Sequence, residues 1–318
     1  MTSTIDSVQH ELFVDADLVS SQYVDADGYR THYLEAGSPS DAPLFLVHGG
    51  GMELGMASDR WYPVVGPLAK KGFHVFAIDE LGYGDTDAPR DLTKLCDPTQ
   101  RANHVIATLD ALNLGKVHLL GQSEGGWIVT YIALTRPDLV EKLIVVDSGS
   151  TAGAGWSADG KSRHLPYFDT AFEKNNMVPT QNLSTIDGVR EHARMFVQHK
   201  DIPEPYLRRM LTLSEKWNEI HYNYQRQFWA DAATAWERKY AGYSIDGTYI
   251  SELVHSLSMQ TLVLWGRNSN KGIDKGIELF KKIPGSQLHV FDDANHFCWV
   301  DQPVAFNTLV TAFCKGEL

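Results

Sequence analysis

Short apolar runs that alternate with helical segments constrain the fold of this chain more than any other feature of its sequence. Six such runs, rich in Val, Leu, Ile and Phe, lie at residues 43–49, 73–79, 117–121, 142–149, 261–266 and 286–293. Helical patterns at 99–113 and 125–136 separate some of them. Residues 20–36 add two strands joined at Asp27-Gly28, a hairpin turn signal. Strands that are apolar throughout and joined by helices indicate a parallel sheet covered on both faces.

The strand pattern stops near residue 150 and resumes near residue 260. Residues 151–255 are rich in Trp, Tyr, His and Arg and contain no buried-strand run. We therefore expect residues 1–150 and 256–318 to form one α/β core, and residues 151–255 to form a helical lid inserted into it. Such an insertion would cover the carboxyl ends of the strands, where the active sites of parallel sheets lie.

The segment KVHLLGQSEGGWIV places one serine, Ser123, in a glycine-rich turn between a buried strand and a helix. Gly121 to Gly125 fit the pattern G-x-S-x-G, in which small neighbours let strand and helix pack closely behind an exposed hydroxyl. The start of a helix also favours developing negative charge. Ser123 is therefore the candidate nucleophile, and a serine of a purely structural turn is the alternative.

Two further segments match a serine nucleophile. LVHGGG, Leu46 to Gly51, follows a strand, and the backbone N–H of Gly50 together with that of Glu124 would form an oxyanion hole. The alternative is that this segment is only a glycine turn. His296 follows the last apolar run, in DDANHFCWV, and is the candidate general base.

These segments occur in the order and spacing of the α/β-hydrolase fold superfamily, which the chain resembles over nearly its whole length. The matching motifs are HGGG, DELGYGDT, GQSEGG, LWGRN and NH. Within the superfamily the chain looks most like the hydrolases of meta-cleavage products, which split carbon–carbon bonds in vinylogous diketones from aromatic-ring degradation. The resemblance is closest in the C-terminal segment from LVLWGRN to NTLVTAF. It implies a mostly parallel eight-stranded sheet and a hydrolase that uses no cofactor and no metal.

The acid of the catalytic triad is where the chain departs from the resemblance. The family's acid lies four residues past the tryptophan of LWGRN, and that residue is Ser269 here. Neither Ser269 nor Asn268 can supply the negative charge that stabilises an imidazolium. Some superfamily members place the acid at the end of the neighbouring strand, where this chain has Asp147. We expect Asp147 to be the acid; the alternatives are Asp274 and the absence of a functional acid.

The resemblance also implies a set of substrate-binding residues. Gln122 stands where the family has Asn before its nucleophile, Phe297 where it has Trp after the histidine, and Asp59 where it has a second Asn. A lid arginine, Arg209 or its neighbour Arg208, would bind a substrate carboxylate, unless both lie on a solvated helix face. Because Asp59 would repel a carboxylate, the family's usual dienoate fits this pocket poorly. The remaining candidates are two glycines of the oxyanion loop and one lid aromatic, namely Gly49, Gly51 and Trp229.

Several functions are compatible with these residues. The first is hydrolysis of a carbon–carbon bond in a small diketone-type compound, aromatic or polyketide-like. The second is an esterase or lactonase that uses the same triad through an acyl-enzyme. The third is a cofactor-independent oxygenase, in which a His–Asp pair deprotonates an aromatic alcohol, and the fourth is a ligand receptor on a hydrolase fold. A complete triad beneath a lid favours an enzyme, and we predict a serine hydrolase of carbon–carbon bonds.

Composition limits the partners and the compartment. The net charge of −12 argues against nucleic acid or an anionic membrane surface as partner, because both need basic patches. The sequence has no apolar run approaching the about 20 residues of a membrane span, and its start has no signal-peptide pattern. Its three cysteines suggest neither a metal-binding pair nor a disulfide framework. We expect a cytoplasmic enzyme that acts on a small molecule and assembles as a homodimer.

Overall fold

The computed structural model describes residues 15–50, 57–95, 97–153, 183–198, 202–228 and 244–318. Two of the sequence-based candidates, Gly51 and Trp229, lie outside these residues. The strands are β1 Ser20–Ala26, β2 Tyr29–Ala36, β3 Ala42–Val47, β4 Phe73–Ile78, β5 Val117–Gln122, β6 Val140–Val146, β7 Ser244–Ile245, β8 Thr248–Tyr249, β9 Thr261–Gly266 and β10 Gln287–Phe291.

Eight of these strands form one sheet, in the order β1-β2-β4-β3-β5-β6-β9-β10. Strand β2 runs antiparallel to both of its neighbours, and all other pairs are parallel. The β1–β2 hairpin turns at Asp27 and Gly28, both with positive φ. The prediction of a mostly parallel eight-stranded α/β-hydrolase sheet is therefore confirmed.

The helices follow the strands as the sequence pattern indicated. They are α1 Tyr62–Lys70, α2 Pro98–Leu112, α3 Glu124–Thr135, α4 Ile186–Arg194, α5 Glu204–Phe228, α6 Ile250–Leu253, α7 Ile273–Lys282, α8 Cys298–Asp301 and α9 Pro303–Lys315. Short 3-10 turns lie at Ala16–Leu18, Ser58–Trp61, Leu92–Lys94, Pro137–Leu139 and Val254–Ser256. None of the helices in the described ranges is both long and apolar enough to cross a membrane.

The sheet is covered on both faces because its central strands are apolar on both. In β3, Leu44 and Leu46 pack with α1 and α9, whereas Phe45 and Val47 pack with α2, α3 and α7. Side chains alternate between the faces of a strand, so one fully apolar run serves two cores. The carboxyl ends of the parallel strands all point to one edge of this covered sheet.

The described part of residues 151–255 contains α4, α5, α6 and the β7–β8 hairpin, and no strand of the large sheet. Helix α5 is attached to the loop after β4 by its polar side chains. Nε1 of Trp217 donates to the carbonyl oxygen of Gly84 at 2.9 Å, and Nζ of Lys216 donates to the same oxygen at 2.7 Å. His221 contacts the carbonyl oxygen of Gly82 at 2.9 Å. This segment therefore sits at the carboxyl edge of the sheet.

Candidate active site

Ser123 occupies a strained turn between β5 and α3. Its φ of 54° and ψ of −121° lie in a region that non-glycine residues rarely adopt. The turn is held from both sides: N–H of Ser123 donates to the carbonyl oxygen of Val146 at 2.9 Å, and its own carbonyl oxygen accepts from N–H of Gly126 at 3.0 Å. The hydroxyl is thus presented at the carboxyl edge of the sheet, at the N-terminus of a helix.

The glycine after this turn is required by close approach of two backbones. A Cβ atom at Gly125 would lie 2.2 Å from the carbonyl oxygen of His48 and 2.5 Å from that of Val47. Helix α3 therefore starts directly against the end of β3. This contact brings the Ser123 turn next to the loop that continues from His48 into Gly49 and Gly50.

His296 and Asp147 come together at the same edge. Nδ1 of His296 lies 2.8 Å from Oδ1 of Asp147, and both side chains are buried. His296 follows β10 and Asp147 follows β6, so residues 149 positions apart in the chain meet because their strands end together. Asp274, the alternative acid, lies in the first turn of α7.

The carboxylate of Asp147 is held by two further donors. The hydroxyl of Ser269 donates to Oδ1 at 2.6 Å, and N–H of Gly266 donates to Oδ2 at 3.0 Å. Asp147 itself has a φ of 44°, which ends β6 and turns the side chain across toward β9. Ser269, which stands at the family's usual acid position, thus contacts the carboxylate at the neighbouring position.

The loop after β3 provides the other side of the candidate oxyanion hole. Gly50 has a φ of 100°, which a residue with a side chain adopts only under strain. His48 is fully buried and stabilises this loop: its Nδ1 contacts the carbonyl oxygen of Gly49 at 2.8 Å, and its Nε2 accepts from N–H of Glu80 at 3.2 Å. Burial lowers the pKa of His48 to about 4, so the ring is neutral near neutral pH.

Glu124 follows the serine, and its side chain points away from the site. Its Oε2 accepts from Arg101 at 2.7 Å, and Arg101 also pairs with Glu80 at 2.7 Å. One buried guanidinium therefore links the start of α3 to the loop after β4. Burial raises the pKa of Glu80 to about 8 despite the opposing charge of Arg101. The arrangement leaves the backbone N–H of Glu124, rather than its carboxylate, on the side of Ser123.

Gln122 is the last residue of β5, and its side chain reaches the histidine. Its amide Nε2 lies 2.9 Å from Nε2 of His296, and Gln122 is 1% exposed. Gly49 leaves the space for this side chain, since a Cβ atom there would lie 2.5 Å from Oε1 of Gln122. Two of the expected substrate-binding residues thus meet next to the histidine.

Arg209 and Asp59, both expected to bind substrate, are paired with each other. Nε of Arg209 lies 2.9 Å from Oδ2 of Asp59, and NH2 of Arg209 lies 2.5 Å from Oδ2 of Asp85. Burial raises the pKa of Asp59, and the Arg209 charge opposes this rise. Two aspartates therefore surround the one guanidinium that was expected to meet a substrate carboxylate. Arg208 lies on the exposed side of α5, where it pairs with Glu204.

Aromatic rings form the wall next to His296. The ring of Phe297 stacks on that of His296 at a centroid distance of 5.5 Å, and Phe196 lies 5.7 Å from the same histidine. The guanidinium of Arg60 stacks over Phe297 at 4.7 Å. Phe297 also lines an apolar pocket against α4 and α5. Its other walls are Pro63, Ala193, Val197, Ile202, Tyr206, Met210 and Val300.

The fold matches that of known proteins. The sequence model of the alpha/beta hydrolase fold family matches residues 42–303. The chain belongs to the α/β-hydrolase fold family. It is 26% identical over 289 residues, 89% of this chain and 90% of the relative, to 2-hydroxy-6-oxononadienedioate/2-hydroxy-6-oxononatrienedioate hydrolase of Escherichia coli O81 (strain ED1a).

Solved structures of other α/β-hydrolases superimpose on the chain. One is the meta-cleavage product hydrolase CumD of Pseudomonas fluorescens IP01, at a TM-score of 0.70 and 22% identity, covering 93% of this chain and 98% of that one. Another is the carboxylesterase CesB of Bacillus subtilis, at a TM-score of 0.71 and 18% identity, covering 99% and 95%. At these identities the likeness shows the shared fold.

Two parts of this α/β-hydrolase site were missed by the sequence analysis. Ser269 was considered only as a missing acid, and its role as a donor to Asp147 was not anticipated. The Arg101 pair behind Glu124 was also missed, although a glutamate in the first turn of an apolar helix such as α3 already required a nearby cation.

One cluster in the described residues has the donor atoms of a metal site. His32, Asp79 and Asp85 place one ligand atom each within 4.8 Å of one another. Asp79 is already hydrogen-bonded, however. It contacts Nδ1 of His32 at 2.6 Å and accepts from the backbone N–H groups of Ser58 and Asp85. These bonds fit a buried carboxylate that organises the loops after β3 and β4, rather than an ion ligand.

Proposed function

We propose that this α/β-hydrolase is a serine hydrolase that cleaves a carbon–carbon bond in a small diketone-type compound. The observation that supports a hydrolase of this type most is the 2.8 Å contact between His296 and Asp147, at the edge of the sheet where the Ser123 turn lies. The chain is also similar, over 89% of its length, to a hydrolase named for a 2-hydroxy-6-oxo dienedioate. Diketone-type compounds arise in aromatic degradation, and the enzyme would act on one of them in the cytoplasm.

Each step of the proposed reaction uses one part of the site. After the substrate has shifted to its keto form, His296 Nε2 accepts a proton from the hydroxyl of Ser123, or from a water that Ser123 orients. The oxygen attacks the carbonyl carbon, and the backbone N–H groups of Gly50 and Glu124 stabilise the oxyanion. Asp147 stabilises the imidazolium. The carbon–carbon bond then breaks: the acyl carbon gains hydroxyl, the leaving carbon gains hydrogen, and one water is consumed.

The surroundings of the site favour a substrate with little negative charge. The expected carboxylate ligand, Arg209, is 2.9 Å from Asp59 and 2.5 Å from Asp85, so a dianionic substrate would face two aspartates there. The pocket at Phe297 is apolar. An aromatic or polyketide-like diketone, with a largely apolar body and uncharged carbonyl groups, fits these surroundings better than a dianion.

Two alternatives use the same residues. An esterase or lactonase would form the acyl-enzyme at Ser123 in the same geometry, and the carboxylesterase CesB shares the fold. A cofactor-independent oxygenase would use only the His296–Asp147 pair, and the position of Asp147 at the end of β6 favours this second alternative over others.

A comparison of Ser123→Ala with the wild type distinguishes these functions. Both proteins are incubated with 1,3-diketones, aryl esters and lactones, with and without oxygen, and the products are identified by mass. We expect diketone cleavage without oxygen in the wild type and its loss in Ser123→Ala. Ser20→Ala, at the exposed start of the edge strand β1, is the control and should keep full activity. If Ser123→Ala still converts a substrate and needs oxygen to do so, the protein is an oxygenase rather than a hydrolase.

A further inference from the structure

Gln122 contacts the nitrogen of His296 on which the proposed reaction depends. The Nδ1 atom of His296 faces the Asp147 carboxylate, so it bears the ring proton, and Nε2 of the neutral ring presents a lone pair. The Gln122 amide nitrogen at 2.9 Å is then the donor to this lone pair. The Gln122 oxygen lies over Gly49 instead.

This contact competes with the activation of Ser123. A neutral imidazole has one acceptor site at Nε2, and the hydroxyl proton of the serine has to enter that same site. While the Gln122 amide occupies it, His296 cannot act as the base. The amide is buried, and leaving a buried donor without an acceptor is costly, so the contact persists until another acceptor replaces the histidine.

We infer that Gln122 is a specificity-determining residue, which releases His296 only when a second carbonyl or enolate oxygen of the substrate accepts its amide. The substrate class is then acyl compounds with an acceptor oxygen close to the carbonyl that is attacked, such as 1,3-diketones and their enols. Simple esters have no such oxygen and leave the amide on His296. This inference rests on the proposed function, because it assumes that Ser123 and His296 perform the reaction.

The length of the side chain makes the inference testable. Asparagine has the same amide one methylene shorter, so it can still face a substrate oxygen beside Ser123 but is withdrawn from His296. Gln122→Asn therefore separates the contact with His296 from the contact with substrate. Gln122→Ala removes both contacts. Gln22→Asn, on the exposed strand β1, repeats the same chemical change away from the site and is the matched control.

Two probes are compared: p-nitrophenyl acetate, which has no second carbonyl or enolate oxygen close to the attacked carbonyl, and 1-phenylbutane-1,3-dione, which has one. We expect Gln122→Asn to raise kcat/KM for the ester about three- to tenfold, the effect of one net hydrogen bond, and to raise kcat/KM for the diketone less, so that the preference for the diketone falls. Gln122→Ala should raise ester hydrolysis similarly and lower diketone cleavage. Phosphorylation of Ser123 by diisopropyl fluorophosphate should accelerate in both variants, because His296 is then available as the base. Gln22→Asn should match the wild type.

The outcomes separate this inference from the proposed function. If Ser123→Ala still cleaves the diketone, the proposed function fails. A second outcome is that Ser123→Ala is inactive and both Gln122 variants lower kcat/KM for the ester and the diketone equally, or change neither. In that case the inference about Gln122 fails, and the proposed hydrolase function is retained. If the wild type hydrolyses only the ester, the inference fails, because His296 is then released without a second carbonyl oxygen in the substrate. Melting temperatures within the range of the control exclude a folding effect.

Discussion

Oδ1 of Asp147 lies 2.8 Å from Nδ1 of His296, and the same oxygen accepts a hydrogen bond from the hydroxyl of Ser269 at 2.6 Å. The carboxylate at the end of β6 thus meets the histidine, and the residue after β9 orients that carboxylate. In this chain a serine occupies the position at which the resemblance places the acid, and the candidate acid lies at the end of the neighbouring strand.

Replacement of this carboxylate should remove most of the activity without unfolding the chain. We expect Asp147→Asn to lower kcat by about 10⁴-fold, because the imidazolium loses its counter-charge and the histidine its correct tautomer. Asp274→Asn, in the first turn of α7, is the matched control and should keep wild-type kcat. Steady-state kinetics on the best diketone or ester decide between them. A loss in Asp274→Asn instead would assign the acid to α7.

The contact between Ser269 and Asp147 predicts that an aspartate at position 269 can take over the role of Asp147. The side chain of residue 269 already contacts the Asp147 carboxylate, so an aspartate at position 269 would place its own carboxylate close to the same point. We expect the double variant Asp147→Asn/Ser269→Asp to recover about tenfold or more of the kcat lost in Asp147→Asn. Ser269→Asp alone should lower kcat, because two adjacent buried carboxylates cannot both stay ionised. A double variant as slow as Asp147→Asn would show that position 269 does not reach His296.

The ion pairs of Arg209 predict that its replacement lowers the stability of the fold more than replacement of Arg208 does. Arg209→Met leaves Asp59 buried without its cation, and we expect it to lower the free energy of unfolding by about 3 kcal/mol. Arg208→Met removes an exposed pair with Glu204 and should cost less than about 1 kcal/mol. Urea denaturation measures both. Equal stability of the two variants, with a raised KM in Arg209→Met alone, would assign Arg209 to substrate binding instead.

Buried histidines predict that the protein loses stability in mild acid. Burial lowers the pKa of His48, His104 and His221 to about 4 each, below the usual value of 6.5. Between pH 6.5 and 4 the unfolded chain binds protons that the folded chain does not. The stability that these histidines contribute is therefore complete above pH 6.5 and decreases as the pH falls, by roughly 2 kcal/mol per histidine at pH 5, which outweighs the opposite effect of the raised pKa of Glu80.

The test of this acid sensitivity is the urea midpoint between pH 7 and pH 4.5. His104→Gln removes one of the buried groups, away from the Ser123 turn, and should make the dependence on pH shallower. His255→Gln changes an exposed histidine and should leave the dependence as it is. A wild-type midpoint that stays constant down to pH 5 would contradict the prediction.

The strands could be predicted because burial on both faces gives a continuous apolar run. The residue at which a strand ends was harder to predict where a change in backbone φ ends the strand. The run at 142–149 was expected to be strand throughout, yet β6 ends at Val146 because Asp147 adopts a φ of 44°. The β7–β8 hairpin was not expected, although Asp246-Gly247 is the same turn signal as Asp27-Gly28. Its strands of two residues are too short to show a period.

Site residues could be predicted where a short sequence motif identifies them, but not where their role depends on contacts with residues far along the chain. Ser123 is defined by its neighbours, and Asp147 could be proposed because Ser269 lacks a charge. The partners of Arg209, Arg101 and Gln122 could not be assigned. Each lies in contact with residues far along the chain, and the sequence does not tell which of many carboxylates or rings a side chain will meet. The homodimer and the cytoplasmic location stay predictions.

The most direct test of the hydrolase is to trace the oxygen atoms in its products. The purified enzyme is given 1-phenylbutane-1,3-dione in ¹⁸O-labelled water, under air and under nitrogen, and the products are analysed by mass. We predict one carboxylic acid with a single ¹⁸O atom and one methyl ketone, at equal rates in both atmospheres, and no products with Ser123→Ala. Oxygen taken from O₂ rather than from water, or products that persist in Ser123→Ala, would contradict it.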